Sequence, residues 1–204
     1  MASITEDDEM KTILAEVAPL IRSWGFKGSG QNYRKLLAKS VLVINFQKSS
    51  GGGRFYVNLG VQPLFVPSEG GQHPEPQSIK EYQCIFRHRI DPPAKLLGWP
   101  TDLDAPMLEL LKSRLTAAYS DYLTPLSTIP GLITEVTLDQ FLRQEEDSIL
   151  GGTTAGNCLH FARIALATGQ RQKALQFAQH GLQFCPERAS SLRAHLLQTL
   201  KEAK

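Results

Sequence analysis

A chain of 204 residues with 42% hydrophobic and 21% charged side chains can bury a core, and its composition excludes a disordered polymer. A formal net charge of +2 is too small to attract nucleic acid through a global field, so any basic patch has to be argued locally. No apolar run reaches the ~18 residues that a membrane-spanning helix needs.

The N-terminal segment MASITEDDEMKTIL is acidic and has no basic stretch leading into an apolar one, so no signal peptide is expected and the compartment is read as the cytoplasm. Ser3 and Glu6 have the spacing of a capping box. Asp7, Asp8 and Glu9 follow where the helix dipole favours negative charge. Met10, Ile13, Leu14, Val17, Leu20, Ile21 and Trp24 make an apolar stripe, which predicts a helix over about residues 4–24, kinked at Pro19 and stopped by Gly25.

A glycine-rich connection then leads into a short strand at Tyr33 to Leu37. The next stretch, VLVINFQKSSGGGRFYVNLGV, reads as two strands around a Ser/Gly turn. Leu42, Ile44 and Phe46 share one face of the first strand, and Phe55, Val57, Leu59 and Val61 share one face of the second. Opposed residues of an antiparallel pair point to the same side, so Phe46 has to oppose Phe55 or Val57 and not Tyr56. The other face then gathers Asn45, Gln47, Tyr56, Asn58 and Gln62. The segment PLFVPSEGGQHPEPQSIKE shows no periodicity and is long for a connection, which marks a functional or a mobile loop. YQCIFRHRI reads as a further strand that alternates Tyr82, Cys84, Phe86, His88 and Ile90 with Gln83, Ile85, Arg87 and Arg89, and Pro92-Pro93 ends it.

A helix is predicted from Asp104, its N-cap, to about Leu123, with Pro106 in the first turn. Another is predicted from Thr137 to about Ser148, ended by Gly151-Gly152. The rest of the chain is helical in pattern. Gly169, Ala174, Gly181, Leu182 and Pro186 stand at the spacings of one tetratricopeptide-type hairpin, so ALATGQRQKALQFAQHGLQFCP resembles a single unit of that repeat.

The stretches SWGFKGSGQNYRK, VLVINFQKS, GRFYVNLGV and CIFRHRI together resemble the bacterial domain of unknown function 4304 family over roughly residues 8–145. The resemblance implies a helix, a GF turn and three strands in that order. It implies no activity and no catalytic residues.

The residue types that carry chemistry are scattered. Cys84, Cys158 and Cys185 form no CxxC and are read as reduced thiols. His73, His88, His160, His180 and His195 show no metal-ligand spacing, so no metal, no cofactor and no catalytic residue is assigned. Cys84 and His88, four residues apart on one strand, would stand about 13 Å apart, too far for a nucleophile and its base. Gly51, Gly52 and Gly53 join two strands and lead into no helix, so they read as a turn and not as a phosphate cradle. The open face offers Tyr56 alone for stacking, against the two or three aromatics of RNA-binding sheets.

What remains is a polar sheet face of Asn45, Gln47, Tyr56, Asn58, Gln62, Arg87 and Arg89, either a hydrogen-bonded array or a surface for a partner. The expected architecture is α+β: a small antiparallel sheet covered by helices on one face, with residues 1–150 as one domain and 151–204 as a helical extension. The expected function is a non-enzymatic, bacterial, cytoplasmic binding protein whose partner is another protein, neither membrane nor nucleic acid, with a toxin-neutralising role as one form. The alternative is a small-ligand binder or enzyme using a cleft between the sheet and the C-terminal helices. The sequence gives no oligomeric state.

Overall fold

A computed structural model describes residues 6–68, 71–73, 75–93, 96–128, 131–143 and 152–204. Helix α1 (Glu6–Ser23) runs straight into a sheet formed by β1 (Lys27–Ser29), β2 (Asn32–Leu36), β3 (Ser40–Lys48), β4 (Arg54–Pro63), β5 (Phe86–Ile90) and β6 (Trp99–Pro100). All pairs are antiparallel, in the order β1-β2-β3-β4-β5, and β6 pairs with β4 on the flank that β5 leaves free. Helices α2 (Ala105–Ala118), α3 (Thr124–Ser127), α4 (Leu132–Glu135), α5 (Leu138–Arg143), α6 (Thr154–Ala167), α7 (Arg171–Phe184) and α8 (Ser190–Ala203) follow, so the fold is α+β.

Local chemistry accounts for the element ends. Ser3, the expected cap of α1, lies outside the described residues. The helix continues through Pro19, which sits on its exposed side, and Gly25 ends it at φ 88° with its N–H on the Arg22 carbonyl. At the start of α2 the Asp104 carboxylate accepts the Met107 N–H at 2.8 Å, with Pro106 in the first turn, as the sequence predicts. The chain stays helical past Ala118 by widening into a π turn over Tyr119–Leu123. Helix α5 is described to Arg143; its expected continuation to Ser148 lies outside the described residues. Gly52 and Gly53, at φ 72° and 66°, make the β3–β4 turn.

The β3–β4 register settles which of the two permitted pairings forms. Phe46 opposes Val57, Asn45 opposes Asn58 and Gln47 opposes Tyr56. One face therefore carries Leu42, Ile44, Phe46, Phe55, Val57, Leu59 and Val61, all buried beneath α1 and the helices that follow. The core continues across residue 150. Phe161 of α6 lies with its ring centroid 5.7 Å from Phe86 of β5, 5.5 Å from Phe141 of α5 and 5.2 Å from Phe177 of α7. Within the helical part α6 and α7 form a hairpin turned at Gly169, with φ 77°. Gly181 lets α7 approach both neighbours: a Cβ there would stand 2.9 Å from that of Cys158 and 2.8 Å from Leu196.

The second sheet face is divided. Over one half, the described part of residues 64–84 folds back. Leu64, Ile79 and Cys84 pack on Val41 and Val43, while the Arg34 guanidinium donates to the carbonyls of Ile79 and Ser78 at 2.6 and 3.3 Å. The aperiodic segment is thus a cover. Gln62 fastens it: its amide donates to the Pro63 and Val66 carbonyls at 2.8 and 3.0 Å and accepts the Ile85 N–H at 3.2 Å.

That latch changes the expected fifth strand. Glu81–Gln83 form a turn of 3-10 helix, and the strand starts only at Phe86. Because the Gln62 side chain takes the Ile85 N–H, the backbone joins the ladder one residue later. Cys84 therefore does not share the face of Phe86 and His88 as the sequence alternation predicts. It packs on the opposite face over Gly60, where a Cβ would meet its sulfur at 2.7 Å.

Candidate functional site

The other half of the second face carries a run of side-chain amides that crosses four strands. Asn45 on β3 donates to Asn32 Oδ1 on β2 at 3.0 Å. Asn58 on β4 donates to Asn45 Oδ1 at 3.3 Å and to Gln47 Oε1 at 3.0 Å. Arg89 on β5 closes the run by donating Nε–H to Asn58 Oδ1 at 2.9 Å. Its guanidinium also lies over the Tyr56 ring, 4.5 Å from the centroid. The register explains the run: Asn32 opposes Asn45, Asn45 opposes Asn58 and Asn58 opposes Arg89, so period-two strands stack polar residues in one row.

Burial varies along this row. Asn58 is 6% exposed, whereas Gln47 and Arg89 are exposed and Asn45 and Tyr56 half-buried. The base of the array is therefore sealed while its upper edge meets solvent. Arg89 is held at Nε and by its plane, and neither terminal nitrogen has a hydrogen-bond partner among the described residues. Such a guanidinium is oriented in advance for a carboxylate or phosphate. Among the described residues neither Arg87 nor Arg89 forms an ion pair.

Two clefts flank β5. One, of about 460 Å³, is lined by Asn58, Glu81, Arg87, His88, Arg89 and Asp91, with Gly152 at its wall. The other, about 320 Å³, lies toward α2 between His88, Ile90, Arg114, Ala117, Ala118 and Tyr122. His88 is exposed at its outer edge, and its ring packs on that of Tyr122 with 5.0 Å between centroids. This desolvation holds the imidazole below its ordinary 6.5, and Asp91 opposes the shift weakly. Unfolded chains take up the proton near 6.5 while the folded one resists it. Stability attributable to His88 is accordingly expected to fall as pH drops from about 6.5 toward the lower folded value. Proton NMR of the imidazole should give a midpoint below 6.5, and a midpoint above it would show that Asp91 outweighs burial.

Burial pushes the Cys84 thiol far above its ordinary range, so it supplies no thiolate. Among the described residues no group of three or more His, Cys, Asp or Glu could hold a metal ion, and no helix is long and apolar enough to cross a membrane.

Of the residues named from the sequence, Asn45, Gln47, Tyr56, Asn58 and Arg89 come together in the array. Arg87 lies on the same face beside the larger cleft. Gln62 is fully buried under the folded-back cover, apart from the others. Sequence reasoning missed Asn32, although the same alternation along β2 would have found it, and Tyr122, whose approach to His88 depends on how α2 ends.

No curated protein and no solved structure matches the chain. The family model described as Domain of unknown function (DUF4304) matches residues 17–126, from within α1 to α3 and so across the entire sheet, and the chain belongs to that family.

Proposed function

We propose that this protein is a non-enzymatic interaction protein that meets another protein through the open edge of the amide array. The observation that carries the reading is the exposed Arg89, fixed by Asn58 Oδ1 and the Tyr56 ring while its terminal nitrogens have no hydrogen-bond partner among the described residues. A guanidinium held at no ion pair costs side-chain entropy, and recognition of a partner offsets that cost by pre-organisation. A toxin-neutralising protein of a bacterial cytoplasm is one form of the proposal; three buried thiols suit a reducing compartment. A second reading, a small anionic ligand in the larger cleft, draws on the gathering of Asn58, Arg87 and His88 there.

The test is a photo-crosslinking side chain at position 47, irradiated in the native cells, with the exposed position 197 as control. The expected result is an adduct of protein mass from position 47 alone, lost when Arg89→Glu is added. Adducts that form equally from both positions, or that ignore Arg89→Glu, would overturn the reading. An adduct of small-molecule mass would select the second one.

A further inference from the structure

Strand β5 is an edge of the sheet: no strand among the described residues pairs with its outer side. Three backbone hydrogen bonds fix which of its peptide groups face outward. Phe46 donates to the Gln31 carbonyl at 2.8 Å, so that residue turns toward β2. Ser49 donates to the Arg54 carbonyl at 3.0 Å, so the even positions of β4 turn toward β3. Thr101 donates to the Gly53 carbonyl at 3.2 Å, so the odd positions turn toward β6 and β5. Val61, Leu59 and Val57 are odd, and they oppose Phe86, His88 and Ile90. Those three therefore turn inward. The outward N–H and C=O groups are those of Arg87 and Arg89.

The two clefts adjoin this same strand, and His88, Arg89 and Asp91 line both. One adjoins the Arg87 and Arg89 side chains and the other lies between His88 and Tyr122. A strand laid along an edge sends alternate side chains to alternate faces, so an edge flanked by two recesses is shaped for an added strand. Residues of that strand opposite Arg87 and Arg89 fall on the polar face, beside two guanidiniums that form no ion pair among the described residues. The residue opposite His88 falls toward Ala117, Ala118 and Tyr122, in a recess whose rim also carries Asp91, Arg114 and Asp121. Tyr122 is buried there, and its hydroxyl has no hydrogen-bond partner among the described residues.

We infer that β5 takes up an extended acidic segment of a partner protein by strand addition, with carboxylates opposite Arg87 and Arg89 and an apolar or aromatic side chain opposite His88. The inference rests on the interaction reading above and specifies its partner. Glu81 and Asp91 line the same cleft, and they set the limits of the acidic footprint. Glu81 stands at the Arg87 end and Asp91 follows Ile90, so two carboxylates fit between them and a longer acidic run is repelled.

The probe is a short blocked peptide with phenylalanine between two glutamates, added to the full chain and followed by backbone amide NMR. The expected result is a saturable shift of the Arg87 and Arg89 amides. Affinity should fall about tenfold or more in Arg89→Glu. The same peptide methylated on its pairing amide nitrogens should lose binding to the wild-type chain, which needs no variant to fold. A methylated peptide that binds equally well, or shifts confined to residues outside β5 and its two clefts, would overturn strand addition. Protein adducts from position 47 combined with that negative result would retain the interaction reading and discard only the acidic strand. Loss of both results would remove the reading itself.

Discussion

Phe161→Ala is expected to lower stability by about 3–5 kcal/mol, the range for truncating a buried aromatic ring in a core that cannot close around the gap. Three rings touch it, from β5, α5 and α7, and each belongs to a different part of the chain. Phe86 sits on the last strand of the sheet, Phe141 on a short helix before residue 150, and Phe177 on the second arm of the helical hairpin. A hole at Phe161 is therefore felt on both sides of that residue. Denaturant unfolding followed separately by the fluorescence of Trp24 and Trp99, both packed on the sheet's core, and by far-ultraviolet helicity should show both transitions moving together. Were helicity alone to shift while the tryptophan transition stayed in place, the hairpin would be stabilised independently of the sheet. An exposed control such as Leu197→Ala is expected to stay within about 0.5 kcal/mol of the parent.

What was legible in the sequence was whatever obeyed a short period. Leu42, Ile44 and Phe46 alternate with Val43, Asn45 and Gln47, and that alone places amides on one face and the core on the other. The choice between the two permitted registers was not legible, because both keep the same parity. Length of the turn decides it: pairing Ser49 with Arg54 leaves room for Gly52 and Gly53 at positive φ. The start of β5 departs from the alternation because alternation reports side chains and not hydrogen bonds. One amide, Gln62, captures the Ile85 N–H and shifts Cys84 to the other face. The segment after Pro63 offered no period at all, since it lies as a cover whose buried contacts, Leu64, Ile79 and Cys84, are spaced by its turns. Tyr122 and Phe161 reach the site and the core through helix placement, a tertiary matter on which local sequence is silent. The array was legible in kind, as amides facing arginines. That it would be sealed at Asn58 and open at Arg89 needed the helices and the cover to be placed.

Asn58→Ala is expected to cost about 1–3 kcal/mol, the penalty for leaving buried hydrogen-bonding groups without their partner. Asn58 is the node of the array: it donates to Asn45 and Gln47 and accepts from Arg89, so three neighbours lose a partner at once. Their exposure limits the loss, because water can reach Gln47 and Arg89 but reaches the Asn45 end less well. Gln47→Ala, which removes one exposed acceptor, is expected to change stability by no more than about 0.5 kcal/mol. The contrast between the two separates a sealed network from a solvated surface, where both changes would be equally small. A double-mutant cycle of Asn58→Ala with Arg89→Ala then measures their coupling, expected at about 0.5–2 kcal/mol for residues sharing one hydrogen bond. Asn58→Asp distinguishes acceptor from donor: the carboxylate still receives Arg89 but offers nothing to Asn45 Oδ1 and Gln47 Oε1, two acceptors that it would instead repel. It should therefore destabilise at neutral pH and recover part of the loss as the carboxyl is protonated in acid. Equal melting temperatures for the parent, Asn58→Ala and Asn58→Asp would show that the amide row contributes no stability, and would leave recognition as its only role.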